Sequence, residues 1–170
     1  MILYHGTNTD FELIDLNKCS PFKDFGTGFY TTTIFEQAKA MAIKKSRIYG
    51  GEPCVISYSV PDTILKTKTL NIKSFNSPTK NWAIFIINNR NRDFTDLQNS
   101  LCNKDNKYDI VFGPVANDTL TTIIRRYQSG YIDSKILIRE MKYTAPNNQY
   151  SFHTKESIKL LKKESVQWIK

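Results

Sequence analysis

Apolar and polar positions along the chain predict strands and helices in irregular alternation. Ile2–Tyr4 reads as a short strand ended by His5-Gly6-Thr7. A polar loop containing Pro21 leads into Asp24-Phe25-Gly26-Thr27-Gly28, and the aromatic, β-branched run Phe29–Thr32 reads as a second strand. Ile34, Ala38, Met41 and Ala42 then recur at helical spacing, with Thr33 and Glu36 as a capping box for a helix to about Ile48. Gly50-Gly51 breaks that helix. Cys54–Val60 is a strand ended by Pro61, Leu70–Ile72 a further short one, and Ser77-Pro78 opens a buried helix carrying Trp82, Phe85 and Ile86.

Polar Asn88 to Asn106 reads as a long loop, and Tyr108–Phe112 as a strand stopped by Gly113-Pro114. Asn117 or Asp118 caps a helix with the stripe Leu120, Ile123, Ile124 and Tyr127, followed by a short helix near Ser134–Met141. Asn148–His153 is a late strand, and Thr154 caps a C-terminal amphipathic helix bearing Lys155, Lys159, Lys162 and Lys163. No repeat or low-complexity tract interrupts the order. The irregular interleaving predicts an α+β domain rather than a doubly wound sheet.

The 170 residues suit one domain, spanning 1–170. With 40% hydrophobic and 24% charged residues, a disordered chain is excluded. A net charge of +8 favours an anionic partner such as a nucleotide, a nucleic acid or an acidic protein surface. Cys19, Cys54 and Cys102 are widely spaced and form no CxxC pair, which speaks against a zinc site or redox dithiol and for reduced thiols in the cytoplasm. No metal is implied. The opening residues do not read as a signal peptide, and the longest apolar run, Trp82 to Ile87, is too short to span a bilayer, so no membrane partner is expected.

Candidate chemistry lies in three places. His5 stands at the end of the first strand, beside Gly6, where a ligand could approach the backbone. Gly26-x-Gly28 runs into Phe29-Tyr30-Thr31-Thr32, where Tyr30 is either a core tyrosine with a satisfied hydroxyl or a platform for a flat heteroaromatic ring. Gln149 begins the late strand, where a polar edge residue is the ordinary reading. Asp24-Phe25-Gly26 spells the magnesium motif of protein kinases, but the phosphate loop and the His-Arg-Asp loop of that fold are missing, so a kinase is excluded.

Taken together, Tyr4-His5-Gly6-Thr7, Gly28-Phe29-Tyr30-Thr31-Thr32 before a helix, and Asn148-Gln149-Tyr150 opening the last strand resemble the ADP-ribosyltransferase superfamily, in its His-Tyr-Glu class. That class includes diphtheria-type toxins and poly(ADP-ribose) polymerases. The chain also looks like a family of small uncharacterised bacterial proteins related to it, through Asp24-Phe25-Gly26-x-Gly28-Phe29-Tyr30 and the stretch from Tyr108 to Thr119.

The resemblance implies a split β-sheet core with flanking helices and NAD as co-substrate. It implies that His5 bonds the adenine-side ribose, that Gly6 holds the nicotinamide carboxamide through its backbone, and that Tyr30 stacks on the nicotinamide. Thr7 and Gly28 belong to the same NAD-binding motifs. Gln149 stands where the class has Glu, and as a neutral amide it can hold a ribose hydroxyl but cannot act as a base. Mono-ADP-ribosylation is therefore expected, not chain elongation. Asp118 is a candidate substitute carboxylate, with a helix cap as its plainer role. The loop from Asn8 to Lys23 would cover the NAD site, with Lys18 and Lys23 near the pyrophosphate. A toxin or regulator acting on a protein or nucleic-acid acceptor, with a cognate inhibitor protein, is the functional expectation. A degenerate NAD-binding or ADP-ribose-binding protein and a basic nucleic-acid-binding module stand as alternatives.

Overall fold

The computed structural model describes residues 1–116, 118–141 and 147–170, with only the backbone of Asp118. The chain is α+β, and its seven strands form one mixed sheet in the order β4-β5-β6-β2-β1-β3-β7. These are β1 (Ile2–Thr7), β2 (Phe29–Thr32), β3 (Cys54–Ser59), β4 (Ile72–Ser74), β5 (Ile110–Pro114), β6 (Asn148–Phe152) and β7 (Lys162–Trp168). The helices are α1 (Phe35–Tyr49), α2 (Lys80–Arg90), α3 (Asp118–Gln128), α4 (Ser134–Met141) and the single turn α5 (Lys155–Ile158). Every strand pair is antiparallel except β4 with β5.

Strand alternation sorts the apolar residues into two cores, because successive side chains leave a strand on opposite faces. Val111 joins Trp82, Phe85 and Ile86 of α2 and Leu120, Ile123 and Ile124 of α3. Its neighbour Ile110 joins Leu3, Phe29, Ile56 and Phe152 on the other face. In the apolar stripe of α3, Leu120, Ile123 and Ile124 are buried as their spacing requires, and Tyr127 is partly buried.

The structure corrects several expectations. β1 does not end at Tyr4: it continues through His5 and Gly6 to Thr7, because all six residues pair with β3. The Thr33–Glu36 capping box is not formed. Ile34 is the N-cap with no side-chain bond, and Thr32 Oγ1 accepts the Ile34 N–H at 3.1 Å instead. In α1 only Ala38 and Ala42 are buried, and Ile34 and Met41 face outward. The cause is close packing on β1, since a Cβ on Gly6 would stand 1.9 Å from the Ala38 carbonyl oxygen.

α2 starts from Thr79, whose hydroxyl accepts the Trp82 N–H at 3.2 Å, and not from Ser77. It runs on to Arg90, so the polar stretch from Asn88 begins inside a helix. Buried Asn89 and Asn103 then use their amides to tie backbone of residues 24, 25, 85, 103 and 108 together. The expected cap at Asn117 or Asp118 lies outside the described residues.

The largest correction is at the C-terminus. Thr154 does cap a helix, but it lasts one turn, and Lys162 and Lys163 lie in β7 instead. The open edge of β3 takes up this segment in an antiparallel ladder from Ser59↔Lys162 to Cys54↔Trp168. Lys163 Nζ crosses to Asp10 and Glu12 at 2.9 and 2.8 Å.

Candidate functional site

The strands carrying His5, Tyr30 and Gln149 are neighbours in the order β1-β2-β6. β2 pairs with β6 along its whole length, from Phe29↔Phe152 to Thr32↔Gln149. Against β1 it makes one ladder pair, Tyr4↔Thr32. Beyond that pair β1 and β2 make no further ladder pair, which leaves an unpaired seam between residues 5–7 and 29–31. His5 bridges it: the ring Nδ1 lies 2.7 Å from the Tyr30 carbonyl oxygen. A carbonyl only accepts, so Nδ1 carries the proton and Nε2 accepts from Lys45 Nζ at 3.3 Å. The ring stacks on Phe29 at 4.2 Å between centroids, with Phe11 at its edge. Burial, helped by the Lys45 charge, pushes the His5 pKa down to about 3, so the ring is neutral at physiological pH.

Register assigns faces. Gly6 has the orientation of Tyr4, whose partner is Thr32, and Thr32 lies opposite Gln149. Gly6, Tyr30 and Gln149 therefore share one face, and His5 lies on the other. The close approach made possible by Gly6 is that of α1, whose Ala38 and Ala42 backbone fills the space where a side chain would be. Thr7, next along β1, is buried and pairs with Cys54.

Tyr30 is half-buried. Its hydroxyl accepts the Phe25 N–H at 2.9 Å and donates to the Gly26 carbonyl at 2.8 Å, fastening the Asp24–Gly28 loop beneath it. Burial and the nearby Asp24 carboxylate raise its pKa well above the usual tyrosine value. Only Gly26 of the glycine pair has a left-handed backbone, at φ 95°. Gly28 makes room for His153, whose Nδ1 would stand 2.5 Å from an added Cβ.

Asp24 is the residue whose place could not be seen along the chain. Its Oδ1 accepts from Arg90 Nε at 2.9 Å and Nη2 at 2.5 Å. Its Oδ2 accepts from Gln149 Nε2 at 3.2 Å and from the Ala116 N–H at 3.3 Å. Loop, α2, β6 and the segment after β5 thus converge on one carboxylate. Arg90 extends the network to Thr121 Oγ1 at 3.3 Å, and that hydroxyl donates to the Ala116 carbonyl. The Asp118 side chain lies outside the described residues.

Lys45, on α1, also escaped sequence reasoning. It is half-buried beside His5, and burial together with the Lys23 charge lowers its pKa. Among the described residues it has no carboxylate partner. Of the two loop lysines, Lys23 is exposed and acts on Lys45 through space, and exposed Lys18 ends a short 3-10 turn. The loop packs over the His5 side of the seam through Phe11, Ile14 and Leu16.

A second cleft, of about 530 Å³, is lined by Asp15, Asn17, Thr27, His153 and Lys155 among others. His153 donates through Nδ1 to the Thr27 carbonyl at 2.8 Å, and its Nε2 lies 2.8 Å from Ser151 Oγ. Ser151 is fully buried, so this serine–histidine pair is a strut and not a nucleophile with its base. Among the described residues, no cluster of three or more His, Cys, Asp or Glu could hold a metal, and no helix is long and apolar enough to cross a membrane.

These features define an α+β protein with a partly opened sheet, where a neutral imidazole and a cation face one side of the seam and an amide held by a carboxylate faces the other. The chain belongs to the family described as Protein of unknown function (DUF3990), which matches it over residues 1–163. No curated protein and no solved structure matches it.

Proposed function

We propose that the seam is an NAD site and that the protein is a mono-ADP-ribosyltransferase of the His-Tyr-Glu type, with a protein or nucleic-acid acceptor. The observation that carries this reading is the adjacency of β1, β2 and β6, with His5, Tyr30 and Gln149 on these three strands beside the stretch where β1 and β2 make a single ladder pair. Gly6 lies on the part of β1 that makes no ladder pair with β2, and its backbone is the group assigned to the carboxamide. The half-buried Tyr30 ring lies on the same face for the nicotinamide. Lys45, a cation without a carboxylate partner among the described residues, suits the pyrophosphate. A split-sheet ADP-ribosyltransferase fold is part of the same proposal.

In the reaction the bond between ribose C1′ and the nicotinamide nitrogen breaks, and the nitrogen keeps the electron pair. An acceptor oxygen or nitrogen bonds C1′ and loses its proton. The transition state is oxocarbenium-like, and grip on nicotinamide and ribose accelerates its formation. Gln149 holds a ribose hydroxyl and supplies no charge, so turnover is slow. That same neutrality favours a second reading, a protein that binds NAD or ADP-ribose without turning it over.

The test is nicotinamide release from NAD, and labelled ADP-ribose incorporation in a cell lysate, by the parent, Tyr30→Ala and Gln149→Ala. Label present with the parent and lost in the variants supports transfer, and nuclease or protease digestion then reports the acceptor class. NAD binding with neither release nor label supports the second reading. Absence of NAD binding overturns both.

A further inference from the structure

We propose that Asp24 is a positioning residue that demands an amide at position 149 and thereby offers the Gln149 amide oxygen to a ribose hydroxyl; the ribose half of this statement rests on the NAD reading of the seam. An ionised carboxylate has only acceptor sites, about four of them. Asp24 uses both oxygens twice, taking two donors from Arg90 on Oδ1 and the Gln149 and Ala116 donors on Oδ2. Its side chain is only 13% exposed, so it meets no substrate itself.

The side chain facing Oδ2 from β6 must therefore donate. Glutamine does so through its nitrogen, and the planar amide then turns its oxygen away from Asp24. Among the described residues that oxygen has no hydrogen-bond partner, and it belongs to the face shared with Tyr30 and Gly6. A glutamate in the same place would bring a second carboxylate to about the 3.2 Å now spanned by the amide. Two carboxylates so close cannot both stay ionised. Glutamine at 149 is therefore the partner that Asp24 requires.

The experiment compares four full-length proteins: parent, Gln149→Glu, Asp24→Asn, and the charge-swapped pair Asp24→Asn with Gln149→Glu. Unfolding is followed by urea from pH 5 to 8, and NAD affinity by calorimetry at the same pH values. Gln149→Glu is expected to unfold more easily than the parent at pH 8, with the gap closing toward pH 5. Its added carboxyl has a folded pKa raised above the unfolded one, so the penalty grows as pH rises between the two. The swapped pair restores a donor facing an acceptor between positions 24 and 149, though the Ala116 N–H loses its acceptor, so it is expected to lose this pH dependence while staying somewhat less stable than the parent at every pH.

NAD affinity of Gln149→Glu is expected to match the parent at pH 5, where the protonated acid mimics the amide, and to fall about 3- to 10-fold at pH 8. Asp24→Asn, which no longer sets the amide, is expected to fall by a similar factor at every pH, and the swapped pair to recover. Gln149→Glu as stable as the parent at pH 8 overturns the proposal. NAD affinity unmoved by all three variants overturns the role of the amide oxygen. If the parent binds no NAD while the unfolding results hold, the NAD reading fails together with the ribose half, and the demand of Asp24 for an amide stands.

Discussion

Asp24 and Lys45 are both charged, both partly or largely withdrawn from water, and both beside the seam, yet they are held in opposite ways. Asp24 has a bidentate guanidinium on one oxygen and two N–H donors on the other. Lys45 has a neutral imidazole at 3.3 Å and a like charge from Lys23. A charge whose every site is filled by protein acts as a strut, since removing one partner strands the others. A cation withdrawn from water without a counter-ion costs stability and makes sense as a place for an anion. Mutation should thus separate the two regions, one in stability and the other in binding.

The largest effect is expected at the Asp24 strut. Asp24→Ala leaves the Arg90 guanidinium and the Gln149 amide without their acceptor. Because Arg90 is itself about a third exposed, at 32%, the cost is expected near 2–3 kcal/mol in urea unfolding. A loss under about 0.5 kcal/mol, the level of an ordinary surface change, would make the pair decorative and collapse the contrast.

Next comes pH. His153 is 3% exposed, and burial lowers its pKa from 6.5 to about 4. Its folded pKa is depressed, so its contribution is full above pH 6.5 and declines as pH falls toward 4. At pH 5 the loss is about 2 kcal/mol. His5, lowered to about 3, adds a loss of comparable size at pH 5, and its share goes on growing below pH 4. Urea midpoints at pH 7 and pH 5 measure it, and His153→Asn should flatten the slope. An unchanged slope would mean that His153 titrates normally.

Tyr30 lies between the two cases. Tyr30→Phe removes the hydroxyl that fastens Phe25 and Gly26 but keeps the ring. The cost is expected at about 1 kcal/mol, with NAD binding retained. Tyr30→Leu removes the ring as well. Equal NAD affinity in Phe and Leu variants would show that the ring is no platform.

The smallest stability change is expected at Lys45. Lys45→Met keeps the stem and removes the charge, so unfolding should shift by no more than about 0.5 kcal/mol. ADP-ribose affinity should nevertheless fall about 5- to 10-fold and lose much of its salt dependence. Unaltered affinity would remove Lys45 from the ligand site.

Much of the fold was legible along the chain. The strand at Phe29–Thr32, the buried face of Trp82, Phe85 and Ile86, the α3 stripe and the Thr154 cap follow from spacing and local chemistry. Misread segments were those whose state depends on a distant partner. Lys162–Trp168 has helical and extended options, and the open edge of β3 selects the strand. Met41 and Ile34 fit a helical stripe, but glycine at position 6 draws α1 so near that only alanines fit beneath it. His5, Tyr30 and Gln149 were visible as candidates. Their partners Asp24, Arg90 and Lys45 were not, because nothing in residue type or spacing ties positions 24, 90 and 149 together.

By itself, then, the sequence determined the periodicities, the turns and the identity of groups able to do chemistry, since these depend on residues a few positions apart. Only the tertiary structure decided which strands part, which charge is paired and which way the Gln149 amide faces. Those outcomes are contacts between segments up to 125 positions apart, and hydrogen-bond satisfaction is settled only when such segments meet.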